Sequence, residues 1–419
     1  MATVTPSSTP FTPRAPKAGD HVFLVDGSSF VFRAYFQSMN QDRRYNYRDD
    51  GLPTGAVRLF CNKLFQFIRD GAVGITPTHL GIIFDKSEAS FRRELYPDYK
   101  AHRPDPPEDL VPQFPLMRSA VKAFGMIPIE QVRYEADDLI ATYACQAQEA
   151  GADVLIISAD KDLMQLVRPG ISMYDPASGE KKRGSFRAER RIGPDEVMEY
   201  FGVPPEKVID VQALAGDATD NVPGVPGIGI KTAAQLIAEY GSLEELLARA
   251  GEIKQPKRRE KLIENAELAR ISKTLVTLVC DVELEVPLEN LAVHDPDPAA
   301  LIAFLKAMDF TTITRRAAEV YEVDAAAVEP DPAFTGLPDG VVAAVPEAEV
   351  AATAVAAALD GPTLDGAAGL AQRRLAEATA TPVDPKAYQT VRTLEELDRW
   401  IADAQEAGVV AVDTETTSL

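Results

Sequence analysis

Acidic side chains stand at the ends of three short apolar runs of the chain. They are Asp26 after residues 21–25, Asp85 after residues 80–84, and Asp160 with Asp162 after residues 154–158. Short runs rich in Val, Ile and Leu are typical of strands that are buried on both faces of a parallel sheet. Because ligands of such sheets bind at the carboxyl ends of the strands, the three runs predict one shared anionic pocket.

Two further clusters raise the number of acids to nine. Glu135, Asp137 and Asp138 open a predicted helix, and Asp217 and Asp220 precede a glycine-rich turn. Acids at a helix start also favour the helix dipole, which is a purely structural alternative for the first cluster. So many carboxylates can stay charged together only with cations between them, and Mg²⁺ prefers oxygen ligands. Two such ions would clamp a phosphodiester and activate a water molecule.

The glycine-rich segment at residues 224–232 resembles a phosphate-binding loop, but it lacks the spacing of a Walker A motif. That motif needs Lys directly after its last Gly, whereas Ile230 stands between Gly229 and Lys231. A hairpin between two helices fits better, and its backbone N–H groups could hold a nucleic-acid phosphate. A plain turn is the alternative.

Basic residues gather in three places along the chain. The groups are Arg92, Arg93, Lys100, His102 and Arg103, interleaved with Tyr96 and Tyr99; Lys181, Lys182, Arg183, Arg187, Arg190 and Arg191; and Lys254, Lys257, Arg258, Arg259 and Lys261. Solvated helix faces are the common meaning of such runs. Cations with interleaved aromatic side chains also suit single-stranded nucleic acid, through phosphate contacts and base stacking.

The overall charge of −21 at first argues against a nucleic-acid partner, but its distribution does not. Residues 325–419 hold 16 acidic and 5 basic residues, so about half of the excess lies outside the part that carries the motifs. Local basic patches, rather than the total, decide polyanion binding.

Cysteine and histidine usage limits the possible compartments and metals. The three cysteines, Cys61, Cys145 and Cys280, lie far apart, which predicts buried free thiols in a reducing compartment. Four isolated histidines argue against a zinc centre. With no secretory signal and no membrane-length apolar run, the sequence predicts a cytoplasmic protein.

The order of patterns along the chain predicts five regions. Residues 1–20 are expected to be a disordered tail, and residues 21–195 an α/β core with a long basic insertion at about 87–115. Residues 196–324 are expected to form a helical subdomain, and residues 325–387 an Ala/Pro/acidic linker. Order returns at residues 388–419, where one helix and one strand cannot close a core. The last region is therefore predicted to be the truncated start of another domain.

Six segments together resemble the 5′ nuclease (flap endonuclease) superfamily, in particular the nuclease domain at the amino end of bacterial DNA polymerases I. The segments are residues 25–30, 84–86, 91–103, 134–138, 158–162 and 216–229. They occur in the order of the family and extend over residues 21 to about 320.

This resemblance implies a fold and an activity. The fold would be a PIN-like α/β nuclease core with a doubly wound, mostly parallel sheet, a helical arch and a helix–hairpin–helix DNA-binding subdomain. The activity would be that of a 5′–3′ exonuclease and 5′-flap endonuclease. It would remove flaps, nicked 5′ ends and RNA primers during nick translation and excision repair. The enzyme is expected to be a monomer in the bacterial cytoplasm, at the nucleoid.

The resemblance also implies roles for individual residues. All nine acids would be direct or water-mediated ligands of two Mg²⁺ ions, with Mn²⁺ as an alternative ion. Lys100 and Arg103 would contact the scissile phosphate, Tyr99 would stack on a base, and Arg92 is a fourth candidate catalytic residue. The expected DNA-binding residues are Gly224, Val225, Gly227, Ile228, Gly229, Lys231, Lys181, Lys182 and Arg183. The hairpin would in addition bind K⁺.

Residues 412–416 resemble the first motif of a proofreading exonuclease domain. Asp413 and Glu415 would be metal ligands there, but their partners are absent from the chain. We therefore expect neither proofreading nor polymerase activity from it. A PIN-type ribonuclease and a non-catalytic DNA-junction-binding protein are the alternative functions.

Overall fold

The computed structural model describes residues 11–86, 90–176 and 188–336, together with Thr393 and Trp400. Packing divides the chain into two compact units, residues 1–345 and 346–419. Almost all described residues belong to the first unit. The predicted truncated domain, with Asp413 and Glu415, lies outside the described residues, as does most of the predicted linker.

Six strands form one sheet in the order β3-β2-β1-β4-β5-β6. Their bounds are His21–Asp26 (β1), His79–Ile83 (β2), Pro128–Ile129 (β3), Asp153–Ile157 (β4), Ile171–Asp175 (β5) and Arg190–Ile192 (β6). Every pair of neighbours is parallel except β5 and β6. The strand order reverses between β1 and β4, which is where such sheets form a crevice for a ligand. The predicted doubly wound, mostly parallel sheet is confirmed.

Thirteen α-helices occur in the described part of the chain. They are Gly27–Met39 (α1), Gly55–Arg69 (α2), Phe91–Leu95 (α3), Gln113–Ala123 (α4), Ala136–Glu149 (α5), Pro194–Phe201 (α6), Val208–Ala215 (α7), Ile230–Tyr240 (α8), Leu243–Ala248 (α9), Pro256–Glu264 (α10), Ala266–Val276 (α11), Pro298–Ala307 (α12) and Thr311–Val320 (α13). The apolar periodicity that predicted helices at α2, α5 and α8 is therefore confirmed.

The sheet is buried on both faces because successive side chains of a strand point to opposite sides. In β1, Val22 and Leu24 belong to one apolar cluster, with α5 to α11, while Phe23 and Val25 belong to another, with α1, α2, α4, α12 and α13. The first cluster continues from β1 as far as Leu291. Packing is therefore continuous across the predicted boundary at residues 195–196, and the division into core and subdomain remains a prediction.

Residues 11–20 differ from the expected tail because they pack on the first unit. Arg14 forms an ion pair with Asp20 at 2.7 Å and donates its backbone N–H to Glu289 O at 3.0 Å. His79 hydrogen-bonds to Arg14 O at 2.7 Å. These polar contacts hold a segment whose Pro/Thr-rich composition gave no sign of order. The start of the expected linker is held in a similar way, since Arg48 donates to Phe334 O at 2.5 Å.

The basic insertion contains less helix than an arch would require. In its described part, residues 90–115, only α3 and the first residues of α4 are helical, and turns make up most of the rest. Tyr99 lies in a small apolar cluster with Val222 and Leu275, so the insertion is folded onto the helical part of the chain. Within the described residues, no helix is long and apolar enough to cross a membrane.

Candidate active site

Three strand ends bring Asp26, Asp85 and Asp160 to one edge of the sheet. Asp26 is the last residue of β1, which is paired with β2 on one side and β4 on the other. Its carboxylate accepts hydrogen bonds from Ser29 N at 2.9 Å and from Ser158 Oγ at 2.8 Å. The side chain of Asp26 is therefore fixed between the first turn of α1 and the segment that follows β4.

The first turn of α5 adds Asp137 to this edge. Asp85 joins the end of β2 to that turn because its Oδ1 accepts from Ala136 N at 2.8 Å. Asp137 lies close enough to Asp160, Asp26 and Asp85 for their charges to interact. In the described part of the chain, no Lys or Arg forms an ion pair with these four carboxylates. We call Asp26, Asp85, Asp137 and Asp160 the unpaired acids.

The crowding of these carboxylates changes the acidity of Asp26 and Asp137. Burial, reinforced by the charges of Asp85 and Asp160, raises the pKa of Asp26 to about 7. Burial and the same kind of repulsion, from Asp160 and Asp26, raise the pKa of Asp137 well above its usual range. A carboxylate whose charged form is disfavoured in this way gains the most from a cation placed beside it.

A second set of acids is neutralised by basic side chains. Lys100 Nζ lies 2.8 Å from Glu135 Oε2 and 3.6 Å from Asp220 Oδ2, and Arg103 Nη2 lies 2.5 Å from Asp220 Oδ1. Burial alone would raise the pKa of Glu135, but the charges of Lys100 and Arg92 outweigh it and lower that pKa. The positive charges thus occupy the space between these carboxylates.

Asp162 and Asp217 belong to the same second set. Lys161 hydrogen-bonds to Asp217 and lies 3.6 Å from Asp162, which also accepts from Gln212 Nε2 at 2.5 Å. Burial and the nearby Asp160 nevertheless raise the pKa of Asp162 to about 6. Against the effect of burial, the hydrogen bond and charge of Lys161 lower the pKa of Asp217. We call Glu135, Asp162, Asp217 and Asp220 the paired acids.

Asp138 is the ninth predicted ligand, and the structure gives it another role. It is fully buried and pairs with Arg92 through two hydrogen bonds of 2.6 and 2.7 Å. It also accepts from Val279 N at 3.0 Å and from Glu135 N at 3.1 Å. Because its oxygens are filled by these donors, Asp138 is placed to hold α5 against the chain after α11, and not to bind a metal ion.

Arg92 and Tyr99 also differ from their predicted roles. Arg92 is 1% exposed, and besides Asp138 it donates to Leu275 O at 2.7 Å, so it supports the fold and does not face a substrate. Tyr99 is 4% exposed, and its hydroxyl donates to Glu135 at 3.1 Å. In this position Tyr99 orients a carboxylate and presents no free ring face to a base.

A cleft of about 410 Å³ opens beside the acids. Lys100, Arg103, Glu135 and Asp85 lie on its inner side. The outer wall combines cations with apolar rings and consists mainly of Lys86, Arg93, Arg118, Phe32, Phe84 and Phe114. A wall of this composition can bind phosphates and stack bases. The predicted phosphate-binding residues Lys100 and Arg103 are therefore both placed between the acids and an accessible cleft.

The predicted hairpin connects α7 and α8, but only part of it faces outward. Gly224 N donates to Ser272 Oγ at 2.9 Å, Val225 N to Leu214 O at 2.8 Å and Ile228 N to Val225 O at 3.0 Å. These three N–H groups, predicted to bind DNA, are used inside the protein. Gly224 has φ +59°, and a Cβ there would lie 2.4 Å from Gly216 N, so glycine serves the tight turn.

The outward part of the hairpin is the start of α8. Gly227, Gly229 and Lys231 are exposed, and α8 begins without a side-chain cap. Lys261 of α10 lies beside Gly227, since a Cβ at Gly227 would be 3.1 Å from its Nζ. Uncapped N–H groups next to two lysines form a site for an anion. The predicted contacts Lys181, Lys182 and Arg183 lie outside the described residues.

Several residues that support the site were missed from the sequence. Ser28, Ser90 and Ser158 each hydrogen-bond to an acid or to its backbone, and Gln212 holds Asp162. Lys161 was visible between two acids of the same motif, which was a signal of an ion pair. The serines and Gln212 carry no comparable pattern, because their roles depend on tertiary contacts.

Within the described residues, no three His, Cys, Asp or Glu side chains are placed to hold one metal ion as they stand. The reason lies in the two sets of acids. Lys100, Lys161 and Arg103 occupy the positions between the paired acids, and Asp26, Asp85 and Asp160 accept hydrogen bonds from backbone N–H or serine hydroxyl groups. Ion binding therefore requires rotation of these carboxylates, whose all-oxygen donor set suits a hard cation.

Comparison with known proteins places this geometry in a family. The family model described as "5'-3' exonuclease, N-terminal resolvase-like domain" matches residues 21–202, and "5'-3' exonuclease, C-terminal SAM fold" matches residues 203–299. All nine acids lie inside these two ranges.

Curated relatives extend the match. DNA polymerase I of Rhizobium leguminosarum is 49% identical over 430 residues, which cover 96% of this chain and 40% of that protein. DNA polymerase I of Bacillus subtilis is 34% identical over 74% of this chain and 33% of its own length. The chain thus spans well under half the length of either relative.

Solved structures show lower similarity. One of them, "Divalent metal ions (zinc) bound to T5 5'-exonuclease", has a TM-score of 0.48 and is 21% identical in sequence. The match covers 72% of this chain and 99% of that chain. The catalytic core of Rad2 in complex with DNA substrate has a TM-score of 0.46 and 16% identity over 73% and 92%. On the two family models that match consecutive ranges of the sequence, the chain belongs to the 5′–3′ exonuclease family.

Proposed function

We propose that the chain hydrolyses phosphodiester bonds near the 5′ ends of DNA with the help of divalent metal ions. The observation that carries this proposal is the set of unpaired acids, of which Asp85 lines a cleft that also contains cations and aromatic rings. Within the described residues no Lys or Arg forms an ion pair with these acids, and the cleft can receive a polyanion. Membership of the 5′–3′ exonuclease family supports the same activity.

The donor set fits Mg²⁺, with Mn²⁺ as an alternative. Asp26, Asp85, Asp137 and Asp160 would hold one ion, and the paired acids would hold a second after Lys100 and Lys161 turn toward substrate. Bound ions would supply an activated water molecule and offset the charge of the phosphate. The raised pKa of Asp26 supports this fit, because a nearby dication would relieve the repulsion that causes it.

Lys100 and Arg103 supply the positive charge that the chain itself contributes. Both line the cleft, and both already bind carboxylate oxygens that occupy the kind of position a phosphate oxygen would take. Once turned toward substrate, these donors would stabilise charge that develops on a phosphate. Arg103, whose side chain is about half exposed, is the more solvent-exposed of the two, since the side chain of Lys100 is 21% exposed.

The start of α8 would bind the duplex part of the substrate. Its free N–H groups, with Lys231 and Lys261, contact phosphates and read no sequence. A K⁺ ion at the hairpin would act at the same place. The substrates would be DNA with 5′ flaps, nicks or RNA primers, and the reaction would serve replication and excision repair as part of a DNA polymerase I. We further propose that the protein is a monomer that works at the nucleoid in the cytoplasm.

One gel assay tests this proposal. A 5′-flap DNA labelled at its 5′ end is incubated with the purified chain in Mg²⁺, in EDTA, and with Asp160→Asn in Mg²⁺. We expect cleavage near the flap junction only with the unaltered chain in Mg²⁺. Cleavage of single-stranded RNA in preference to the flap would show a ribonuclease. Binding of the flap without cleavage in Mg²⁺ would show a junction-binding protein without nuclease activity.

A further inference from the structure

Two of the three cysteines, predicted as isolated buried thiols, are neighbours in the fold. Cys145 lies near the end of α5, and Cys280 lies in the segment at residues 277–282 that follows α11. The two thiols lie close enough for each to affect the acidity of the other, and Cys280 Sγ donates to Leu278 O at 3.9 Å. Cys61 is buried as predicted, but Cys145 is half-buried and Cys280 is exposed. The prediction of buried thiols is therefore wrong for this pair, and solvent can reach it.

The segment at residues 277–282 is fastened to α5, so the proximity of the thiols is built into the fold. Thr142, one helical turn before Cys145, donates its hydroxyl to Val279 O at 3.1 Å and accepts from Val282 N at 3.3 Å. Val279 N donates to Asp138 at 3.0 Å. Cys280 thus stands between two residues whose backbone is bonded to α5, and these bonds hold it beside the helical turn that leads to Cys145.

Charged groups around the pair make the two thiols unequal. Arg168 Nη2 lies 3.3 Å from Cys145 Sγ. The neighbouring Cys280 thiol and then the contact with Arg168 lower the pKa of Cys145 to about 6, although burial and Glu149 act in the other direction. The neighbouring Cys145 raises the pKa of Cys280, as do burial and Asp281. Cys145 is therefore the nucleophile of the pair, and Cys280 is the thiol that keeps its proton.

We propose that Cys145 and Cys280 form a peroxide-reactive pair that closes to a reversible disulfide. The Cys145 thiolate attacks a hydroperoxide, the O–O bond breaks, and the sulfur becomes a sulfenic acid while an alkoxide or hydroxide leaves. The sulfur of Cys280 then attacks the sulfenic sulfur, its proton leaves with the sulfenic oxygen as water, and the S–S bond forms. Sulfur has lost two electrons, and the peroxide has gained them.

The disulfide would join two parts of the site's support. The first turn of α5 carries Asp137 and Asp138, and residues 275–277 carry the carbonyl groups that hold Arg92. A covalent link between α5 and the segment after α11 would reinforce the position of this turn. Neither cysteine contacts a proposed metal ligand, so the pair can react whether or not the proposed nuclease function is correct.

Peptide mass spectrometry of the peroxide-treated full chain tests the proposal. The reduced protein is treated with hydrogen peroxide and dimedone at neutral pH, its free thiols are alkylated, and it is digested. We expect a cross-linked peptide pair containing Cys145 and Cys280, removed by dithiothreitol, while Cys61 remains alkylated. Oxidation at Cys145 should exceed that at Cys61 by at least about tenfold, because the thiolate is the reactive form.

Single substitutions separate the two steps. In Cys280→Ser, which changes an exposed side chain, we expect dimedone on Cys145 and no cross-link. In Cys145→Ser, Cys280 should stay reduced, and Cys61→Ser should form the cross-link as the unaltered protein does. Equal oxidation of Cys61 and Cys145, or a dimedone adduct at Cys145 without a cross-link in the unaltered protein, would overturn the proposal.

Discussion

The unpaired and paired acids occupy neighbouring parts of one site but solve the problem of negative charge differently. Glu135, Asp217 and Asp220 each have a Lys or Arg within ion-pair distance, and the pKa of Glu135 and Asp217 is lowered. Among the described residues, Asp26 and Asp137 have no Lys or Arg within ion-pair distance, and their pKa is raised. The two groups therefore differ in whether a basic side chain contacts the carboxylate.

Asp138 differs most from the unpaired acids, although it lies in the same turn of α5 as Asp137. It is the next residue after Asp137, yet its side chain is wholly buried and paired with Arg92. Two adjacent acids of one motif thus have different surroundings, since Asp137 lies beside other carboxylates and Asp138 lies beside a guanidinium group. The role of an acid here follows from its partner, and the motif alone does not reveal it.

The largest effect is expected from removing one unpaired charge. Asp137→Asn should lower flap cleavage by about 10³-fold or more, since loss of one well-placed electrostatic group commonly costs about 10²–10³-fold. In EDTA the same substitution should leave the melting temperature unchanged or higher, because it removes repulsion. Glu135→Gln is the matched control from the paired acids and should lower the melting temperature by freeing Lys100. A lower melting temperature for Asp137→Asn would contradict the comparison.

The buried ion pair should matter for stability. Arg92→Met leaves the charge of Asp138 buried without a partner, so the free energy of unfolding should fall by about 3–5 kcal/mol. Urea denaturation measures this change, and the double variant with Asp138→Leu should recover part of the loss. A loss within about 0.5 kcal/mol, as for an ordinary surface substitution, would show that Arg92 does not support the fold.

The stability of the metal-free protein should change with pH in the direction that the raised pKa of Asp26 sets. The pKa of Asp26 is about 7 in the folded state, and its ordinary value is 3.8. Between these two pH values the folded state binds more protons than the unfolded state. Asp26 should therefore lower the free energy of unfolding as pH rises from about 4 through about 7. Asp162 acts in the same direction with a pKa of about 6.

Denaturation in EDTA across this range, with Asp26→Asn as the control, measures that contribution. Cys145 changes the free energy of unfolding with pH in the opposite direction, because its pKa is lowered. It is present in both proteins, so its contribution cancels when the two pH profiles are compared. The control should lose less stability than the unaltered protein as pH rises. Identical pH profiles for the two proteins would show that the pKa of Asp26 is not raised in the folded state.

The smallest expected effect concerns the start of α8. Lys231→Ala and Lys261→Ala should each weaken duplex binding and reduce the slope of log Kd against log salt by about 1, as for loss of one phosphate contact. Lys122→Ala, which changes an exposed lysine on α4, is the control and should leave the slope unchanged. A salt-independent Kd for the unaltered protein would show that these lysines do not bind DNA phosphates.

The sequence predicted the sheet and the convergence of the acids because both follow from local pattern. Strand ends fix the positions of Asp26 and Asp160, and the sheet order then brings them together. It did not reveal that Asp138, Arg92 and Tyr99, which were assigned to chemistry, are buried and hydrogen-bonded inside the fold. Their roles depend on burial by residues far along the chain, such as Leu275 and Val279, and no local spacing reports that.

The central claim is that the unpaired acids bind divalent cations, and calorimetric titration of the DNA-free protein with Mg²⁺ tests it most directly. At about pH 6, in buffers of different ionisation enthalpy, we expect Mg²⁺ to bind with release of protons from acids whose pKa is raised. Asp137→Asn should lose most of this heat and proton release. Equal binding by the two proteins, or binding without proton release, would contradict the account.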